Sequence, residues 1–242
     1  METFIRAGFK HNNVKKTNAI DFHNRIAARF NDKYQSSKTF RERFQVWTRL
    51  FEQYVKPADR VIDLGCGPGV FSNYLADKGC VVMGIDGSAA MIALCEQYKP
   101  SDQAHYIQAS LPLDNPLRFA PQDVALLSSV LEYLTEPAEM LAQVNLILRL
   151  NGLLFVSIPN QQSVYRMIER VLFWLTKRPA YIMHSRCRMT QTALTNQLAG
   201  LGFERLETVY FSSLDPISRL LKPFFANRCV NNLVVGIYQK RA

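Results

Sequence analysis

The sequence predicts an α/β fold in which helices cover both faces of a parallel sheet. From residue 60 onward, short apolar runs alternate with segments whose apolar residues recur at helical spacing. The runs are apolar throughout, which is typical of strands buried on both faces of a parallel sheet. Glycines cluster directly after the first run and mark a tight strand-to-helix turn. The chain has 242 residues, 48% of them hydrophobic, enough for one such domain with additions.

Helices are predicted before the first strand. Apolar residues recur at helical spacing from about Ile20 to Tyr54, in two groups separated by the polar stretch NDKYQSSKT. Pro57 then ends the helical run. We expect residues 1–55 to form a helical cover over the site carried by residues 56–242.

Strands and helices then alternate along the chain. The predicted strands are RVIDLG, CVVMGID, AHYIQA, DVALLSS and LLFVSIP, followed near the end by FERLETVYFSS and NNLVVGIYQKR. The predicted helices are PGVFSNYLADKG, SAAMIALCEQYK, PAEMLAQVNLILRL and TQTALTNQLAGLG. Ser88 is the expected N-cap of the second of these helices. Pro137 is expected to begin the third, and Asn151-Gly152 to end it.

Composition bounds the class of protein. The net charge of +9 suits nucleic acid, an anionic membrane surface or acidic substrates as partners. No apolar run approaches the ~18 residues of a membrane span, and the N-terminal stretch METFIRAGFKHNNVKK lacks the apolar core of a secretory signal. The five cysteines form no CxxC pair, so neither a zinc site nor a disulfide framework is predicted. We expect a cytoplasmic protein with reduced thiols and no metal.

The glycine cluster and a following acid predict a nucleoside site. Gly65-Cys66-Gly67-Pro68-Gly69 offers a backbone that a ligand can approach closely, next to the donor end of a helix. Asp86 ends the second strand, where a carboxylate can accept hydrogen bonds from a ribose diol. The spacing is GxGxG rather than the GxGxxG of dinucleotide sites, and Pro68 removes one N–H donor. An adenosine-type cofactor without phosphate fits better.

Four stretches in order resemble the motifs of class I S-adenosylmethionine-dependent methyltransferases: VIDLGCGPG, VVMGIDGSAAMI, DVALLSSVLEYL and NGLLFVSIPN. The resemblance covers about Val55 to Pro159. It implies a Rossmann-like seven-stranded, mostly parallel sheet with an antiparallel last strand, and S-adenosylmethionine as the cofactor.

The resemblance also implies the residues that contact the cofactor. The amino-acid end is expected near Gly65 and Gly67, and the ribose at Asp86. Ser110 stands where many relatives carry an acid that binds the adenine amine. Tyr34 resembles a tyrosine that closes over the cofactor, and Arg41 and Arg43 are candidate partners of its carboxylate. The full expected set is Asp63, Gly65, Cys66, Gly67, Gly69, Asp86, Gly87, Ser110, Leu111, Ser128, Tyr34 and Arg43.

The end of the fourth strand is where the family places the transferring methyl group. Here it reads SSVLEY and lacks the motifs of nucleobase, catechol and arginine methyltransferases, which leaves the broad group that acts on small molecules. Tyr133 could position an acceptor by a hydrogen bond or simply line the cofactor pocket. His184 could serve in catalysis from a lid or be a surface residue. These two are the catalytic candidates.

A basic helical insertion at about 160–189 is the expected acceptor region. Residues 164–188 combine an apolar stripe with basic residues, which suits either a lid or peripheral contact with an anionic membrane. Its layout resembles that of quinone-pathway O-methyltransferases and the magnesium-protoporphyrin methyltransferase. We therefore expect O-methylation of a lipophilic or aromatic small molecule.

Two alternatives stay open: an RNA methyltransferase and a non-catalytic cofactor-binding relative. Nucleic acid is not the expected partner, because the basic residues form no recognisable RNA-binding module.

Overall fold

The structure, a computed structural model, describes residues 20, 21, 24, 27, 36–176, 183 and 185–241. Its strands are β1 (Arg60–Leu64), β2 (Val81–Asp86), β3 (Ala104–Gln108), β4 (Gln122–Ser128), β5 (Leu148–Pro159), β6 (Phe203–Phe211) and β7 (Leu233–Lys240). Its longer helices are α1 (Lys38–Tyr54), α2 (Val70–Asp77), α3 (Ala89–Tyr98), α4 (Pro137–Ile147), α5 (Val164–Thr176) and α6 (Gln191–Gly200), followed by two short ones, α7 (Pro216–Leu221) and α8 (Asn227–Val230). Two 3₁₀ turns lie at Pro116–Phe119 and Leu131–Tyr133.

The seven strands form one sheet in the order β3-β2-β1-β4-β5-β7-β6. The first five strands pair in parallel. The last strand, β7, lies between β5 and β6 and runs antiparallel to both. The predicted mostly parallel sheet with an antiparallel last strand is therefore confirmed.

Helices cover both faces of this sheet. Ile62 and Leu64 of β1 point into a core shared with α4 and α6. Val61, their neighbour on the same strand, points into a second core shared with α1 and α2. Successive strand residues face opposite sides, so a strand with a core on each side is mostly apolar. This is the physical reason for the continuous apolar runs of the sequence.

Stacked aromatic rings fix α1 against the sheet. The ring centroid of Trp47 lies 4.8 Å from that of Phe71 on α2, and that of Phe51 lies 5.4 Å from that of Phe155 on β5. Trp47 and Phe51 are fully buried. One turn before Trp47, the same helix carries Arg43 to the carboxyl end of β4. The packing of α1 thus positions a charged side chain at the sheet edge.

The helix boundaries were predicted with one error. Ser88 caps α3 as predicted, because its hydroxyl accepts a hydrogen bond from the Met91 N–H at 3.2 Å. The helix expected to run to Asn151 instead ends at Ile147, and Leu148 already pairs with Gln122 of β4. Leu148 starts β5 because β4 pairs with its backbone, although the apolar spacing of Leu148–Leu150 also fits a helix.

The basic stretch after β5 begins with α5 and continues into a segment of which Met183 and residues 185–190 are described. In the described part of the chain, every helix is too short or too polar to cross a bilayer.

Candidate active site

A cavity of about 860 Å³ lies at the carboxyl edge of the sheet. Its walls come from the ends of β1, β2, β4, β5 and β6 and from the start of β7. One half lies at the glycine loop, residues 65–69, and we call it the cofactor end. The other half lies between the turn at Leu131–Tyr133, α5 and the segment 185–186, and we call it the acceptor end.

The glycine loop is held open by backbone hydrogen bonds. The N–H groups of Gly65 and Cys66 both donate to the Ile85 carbonyl, at 2.7 and 3.0 Å. Gly67 has a φ of +54°, and a Cβ added there would meet nothing within 4 Å. Because Gly67 lines the cavity, that empty space is where a bound molecule could lie against the backbone.

Asp86 holds the loop and lines the cavity as well. Its Oδ2 accepts a hydrogen bond from the Gly67 N–H at 2.9 Å. Its Oδ1 accepts one from the Ser88 N–H at 2.8 Å. Each carboxylate oxygen can accept a second hydrogen bond, so two acceptor sites remain for a diol. The same carboxylate therefore shapes the loop and can bind a ribose.

Asp63 is a buried acid beneath the loop. The Ser72 hydroxyl donates to its Oδ2 at 2.7 Å, while its Oδ1 is buried with no hydrogen-bond partner among the described residues. The pKa of Asp63 is raised to about 7: burial raises it most, the Ser72 hydrogen bond lowers it, and the charges of Asp86 and Arg43 raise and lower it respectively. An unpaired buried oxygen at a cavity wall is costly, and a cationic ligand would relieve that cost.

Arg43 bridges α1 to the end of β4. Its Nη2 donates to the carbonyl of Ser128 at 3.0 Å and also to the hydroxyl of that residue. Its Nε is buried without a partner in the part of the chain that the structure describes. Arg43 lines the cavity, whereas Arg41 does not lie among the lining residues.

Two of the residues described before α1, Ile20 and Asn24, lie near the cofactor end. Ile20 lines the cavity, and its side chain is 2.9 Å from where a Cβ on Gly87 would stand. Asn24 accepts a hydrogen bond from the Ser88 hydroxyl and a longer one from the Ala90 N–H at 3.4 Å. These contacts place part of the N-terminal segment beside the start of α3.

Glu132 is a buried acid at the acceptor end that the sequence analysis did not select. It lines the cavity and is 8% exposed, and its Oε2 has no hydrogen-bond partner in the described structure. Burial raises its pKa to about 7, while a hydrogen bond from its own N–H and the charges of Arg43 and Arg166 oppose the rise. The backbone carbonyl of Glu132 accepts hydrogen bonds from the N–H groups of Arg186 and Cys187, at 2.7 and 3.2 Å.

A network around Asn232 joins the acceptor end to the sheet. The Ser163 hydroxyl donates to the Asn232 side-chain oxygen at 2.6 Å, and the Asn232 side-chain N–H donates to Asp215 at 2.7 Å. The Asn232 carbonyl accepts a hydrogen bond from the Asn160 N–H at 3.0 Å. Ser163 precedes α5 and Asp215 caps α7, so one side chain anchors both helices. The adjacent asparagines NN before the last strand were the only sequence signal for it.

Two arginines at the acceptor end form an ion pair or a hydrogen bond with protein side chains. Arg166 pairs with the buried Glu169 at 2.8 Å, and Arg186 donates to the Thr135 hydroxyl at 2.7 Å. Arg166, Glu169 and Arg186 all line the acceptor end. Within the basic insertion, the charge of Arg166 is thus compensated by the Glu169 carboxylate, whereas Arg186 donates to a neutral hydroxyl of the loop before α4.

The structure brings most of the predicted site residues together. Those that line the cavity are Asp63, Gly65, Cys66, Gly67, Asp86, Gly87, Ser110, Leu111, Ser128, Arg43 and Tyr133. Gly69 is not among the lining residues; it caps α2 in a left-handed conformation. Tyr34 and His184 lie outside the described residues. No group of three or more His, Cys, Asp or Glu side chains in the described ranges is arranged to hold a metal ion.

Comparison with known proteins agrees with this geometry. A family described as "Methyltransferase domain" matches residues 21–208. A malonyl-[acyl-carrier protein] O-methyltransferase of Enterobacter lignolyticus (strain SCF1) is 29% identical over 168 residues, which cover 66% of this chain and 61% of the relative. A ubiquinone biosynthesis O-methyltransferase of Glaesserella parasuis serovar 5 (strain SH0165) is 26% identical over 115 residues, covering 45% and 49%.

A solved structure shares the fold over most of the chain. The magnesium protoporphyrin IX methyltransferase of Synechocystis PCC 6803, solved with bound SAH, superposes with a TM-score of 0.68 at 16% identity, covering 92% of this chain and 98% of that one. This chain belongs to the S-adenosylmethionine-dependent methyltransferase domain family, of class I. This chain spans about half to three fifths of the length of these curated relatives.

The cavity residues fit the cofactor of that family. S-adenosylmethionine carries a sulfonium and an ammonium group, and the described lining holds five carboxylates against three guanidinium groups. The unpaired Asp63 oxygen and the open space at Gly67 are features that a cationic nucleoside would fill. The Asp86 carboxylate would hold the ribose, and Ile20 would lie over it.

Proposed function

We propose that this protein transfers a methyl group from S-adenosylmethionine to an oxygen of a lipophilic or aromatic small molecule. The observation that carries the proposal is the continuity of one cavity from Gly67 and Asp86 to Tyr133 and Arg166. A cofactor at one end and an acceptor at the other would meet at Ser128–Val130, where β4 ends.

The protein's task in such a transfer is alignment in a dry site. The bound cofactor would supply a methyl group on a cationic sulfur. The acceptor oxygen would attack the methyl carbon in line and displace the sulfur. Leu134, Pro159 and Leu233 give the acceptor end apolar walls, while Tyr133 and Tyr165 add hydroxyl groups. Burial raises the pKa of Tyr133, as does the charge of Glu132, so its hydroxyl stays protonated at neutral pH and can donate a hydrogen bond.

The names of the relatives support oxygen as the acceptor atom. Both curated relatives described above are named O-methyltransferases. Their acceptors differ, since one name gives a malonyl group on a carrier protein and the other a step of ubiquinone biosynthesis. The apolar walls favour the lipophilic or aromatic class for this chain.

We also propose that the protein contacts an anionic membrane peripherally, through residues 164–188 and the neighbouring α7–α8 region. Exposed apolar side chains line α5 at Met167, Val171, Leu172, Trp174 and Leu175. The helix α5 packs against α7 and α8. The segment that joins α7 to α8 carries the exposed Phe224. Arg219, Lys222 and Arg228 supply exposed positive charge there. We call this the apolar–basic surface, and its combination suits anionic lipid.

The structure changes which charges belong to that surface. Arg166 pairs with Glu169 and lines the cavity, and Arg170 donates to the Gln161 side chain at 3.0 Å. Lys177 and Arg178 lie outside the described residues. In the described structure, the exposed positive charge of the apolar–basic surface therefore comes mainly from the α7–α8 region.

A methyl-transfer screen tests the function. The protein is incubated with S-adenosylmethionine labelled in the methyl group and with fractionated metabolites, lipids or RNA from bacterial cells. We expect label in the organic-extractable fraction, in a product that resists mild base, because ethers survive the treatment that releases methanol from methyl esters. Gly67→Val serves as the control that cannot seat the cofactor. Label in RNA, or in no fraction despite cofactor binding, contradicts the proposal.

A further inference from the structure

Glu132 lies where an acceptor would meet the methyl group. It follows β4 by four residues and sits in the 3₁₀ turn Leu131–Tyr133, two residues after Val130, whose side chain packs against Gly65 of the cofactor end. Its Oε2 is buried and unpaired within the described structure. A buried carboxylate oxygen without a partner costs free energy, so its retention at the junction of the two ends suggests a role in binding or chemistry.

The charged and titratable groups that interact with Glu132 belong to four parts of the chain. Arg43 approaches from α1 and Arg166 from α5, and both oppose the rise in its pKa. Tyr133 is its neighbour in the turn, and Cys187 lies on the segment that donates to its carbonyl; the charge of Glu132 raises the pKa of both. Burial prevails over the two arginines and leaves the Glu132 pKa at about 7. A base with that pKa is effective near neutral pH.

Other groups at the cavity are less suited to accept a proton from an acceptor. Burial holds the pKa of Tyr133 well above neutral, so it is no base under ordinary conditions. Asp63 has a similarly raised pKa, but it lies beneath the glycine loop and is bound by Ser72.

The charges of the cavity indicate the form of the acceptor. Each arginine of its described lining already donates to a protein group: Arg43 to Ser128, Arg166 to Glu169 and Arg186 to Thr135. Carboxylates outnumber these arginines. The surplus of carboxylates over arginines in this lining disfavours a second anion, so a neutral hydroxyl acceptor would enter the cavity more readily than a carboxylate.

We propose that Glu132 is the general base that removes the proton from a neutral hydroxyl group of the acceptor, a phenol or alcohol rather than a carboxylic acid. This inference rests on the proposed methyl transfer and narrows its substrate class. As the acceptor O–H bond breaks, the proton passes to the Glu132 carboxylate. The oxygen keeps the electron pair and forms the new O–C bond to the methyl group, while the C–S bond breaks and its electrons stay on sulfur. Because Oε2 of Glu132 is buried, this step requires the carboxylate to turn toward the bound acceptor.

A series of acceptors of graded acidity tests this role. Labelled S-adenosylmethionine is offered with substituted phenols, from nitrophenols that are ionised at pH 7.5 to alkylphenols that are not, and with aromatic carboxylic acids. With Glu132→Gln we expect at least a 100-fold loss of kcat on alkylphenols and less than a 5-fold loss on acceptors that are already ionised. With the wild type, the rate on alkylphenols rises with pH through about 7, and this rise is absent in the variant.

Controls separate the base from a structural role. Glu132→Asp should recover part of the alkylphenol rate, and Glu136→Gln, an equal charge loss at an exposed position in the same loop, should change none of the rates. An equal loss on ionised and neutral acceptors overturns the general-base role and indicates positioning alone.

A second readout does not depend on turnover. Carboxyl titration by ¹³C NMR of glutamate-labelled protein with S-adenosylmethionine bound should show a resonance that titrates near pH 7 and disappears in Glu132→Gln. If the wild type binds cofactor but methylates none of the panel, the proposed acceptor class fails, and this titration alone decides on Glu132. A Glu132 carboxyl that titrates below pH 5 overturns the inference in either case.

Discussion

The three glycines of the loop at residues 65–69 meet three different demands. A Cβ on Gly65 would stand 2.4 Å from the Val130 side chain, and one on Gly69 would stand 2.9 Å from Cys95 Sγ. Substitution at either position would therefore disturb packing before it affected a ligand. Gly67 differs, because its Cβ would meet open space in the cavity. Of these three, it is the position that tests ligand contact most directly.

Gly67→Ala should lower affinity for S-adenosylmethionine at least 10-fold, because the added methyl group occupies ligand space. The left-handed φ should cost the fold about 1 kcal/mol. Gly79→Ala is the matched control: its φ is also positive, its Cβ would make only an ordinary 3.7 Å contact with Pro57, and it does not line the cavity. Both variants should lose similar stability by calorimetry, but only Gly67→Ala should lose affinity by titration calorimetry. Equal affinities would contradict the placement of the cofactor.

The buried acids Asp63 and Glu132 make stability depend on pH. Both have a pKa of about 7 in the folded chain, above their usual values near 4. Between those values the folded state holds more protons than the unfolded state, so the free energy of unfolding falls as pH rises from about 4 to 7 and levels off above. Each group should cost roughly 3–4 kcal/mol once it is ionised.

Glu132→Gln should therefore be more stable than the wild type at pH 8 and no more stable at pH 4.5. Asp63→Asn should show the same pH dependence of stability, provided that the new side-chain amide oxygen still accepts the hydrogen bond from Ser72. Urea unfolding across this pH range, without cofactor, measures both. Parallel pH profiles for wild type and Glu132→Gln would show that Glu132 ionises normally. Glu139→Gln, at an exposed site on α4, is the control.

Most residues of the cofactor end were predicted from sequence, and Tyr133 was predicted at the acceptor end, but Glu132 was not. Gly67 and Asp86 belong to local motifs in which spacing fixes geometry. Glu132 interacts with groups that lie far away in sequence: the charge of Arg43 on α1 acts on its pKa, and the N–H groups of residues 186–187 donate to its carbonyl. No local pattern reports such interactions, so the letters VLEY gave no sign of a perturbed acid.

At the scale of elements, the acceptor end depends on one side chain that fastens two helices. Asn232 holds Ser163 at the start of α5 and Asp215 at the start of α7. The side chain is buried, so an unpaired partner would be costly.

Asn232→Ala should lower the free energy of unfolding by about 1–3 kcal/mol. It should also speed amide hydrogen exchange in α5 and α7 more than in α2 or α3, because the anchor of those two helices is lost. Asn227→Ala, an exposed position at the start of α8, is the control. Uniform acceleration across all helices would show that Asn232 supports the whole fold rather than the acceptor end.

Element boundaries illustrate a limit of pattern reading. The stretch LILRL fits a helix by spacing, yet its last three residues begin β5, and the first of them pairs with β4. Asn151 does adopt the positive φ expected of a helix stop, +62°, but inside β5. Asn151 was correctly recognised as a residue with a positive φ, but it was assigned to the end of a helix instead of to β5. Strand pairing is a tertiary effect that a single segment does not encode.

At the scale of the whole molecule, the two tryptophans report on opposite features. Trp47 is fully buried in the core beneath α1, whereas Trp174 is 73% exposed on the apolar–basic surface. If that surface rests on lipid, only Trp174 enters the bilayer.

Vesicles containing brominated anionic lipid should therefore quench part of the tryptophan fluorescence, and vesicles of neutral lipid should not. The quenching should weaken as salt rises, because screening reduces the attraction of Arg219, Lys222 and Arg228 for the surface. Trp174→Phe keeps Trp47 as its one indole and should lose the response. A wild-type protein that ignores anionic vesicles at low salt would contradict membrane contact.

The position of β7 has a consequence for biosynthesis. Residues 233–240 are the last strand in sequence, yet they separate β5 from β6 in space. A chain that emerges from the ribosome can pair β1 to β5 in turn, but β6 has no neighbour in the sheet until β7 has also emerged. The backbone hydrogen-bonding groups of β6 and of one edge of β5 therefore stay unpaired within the sheet until residues 233–240 are available.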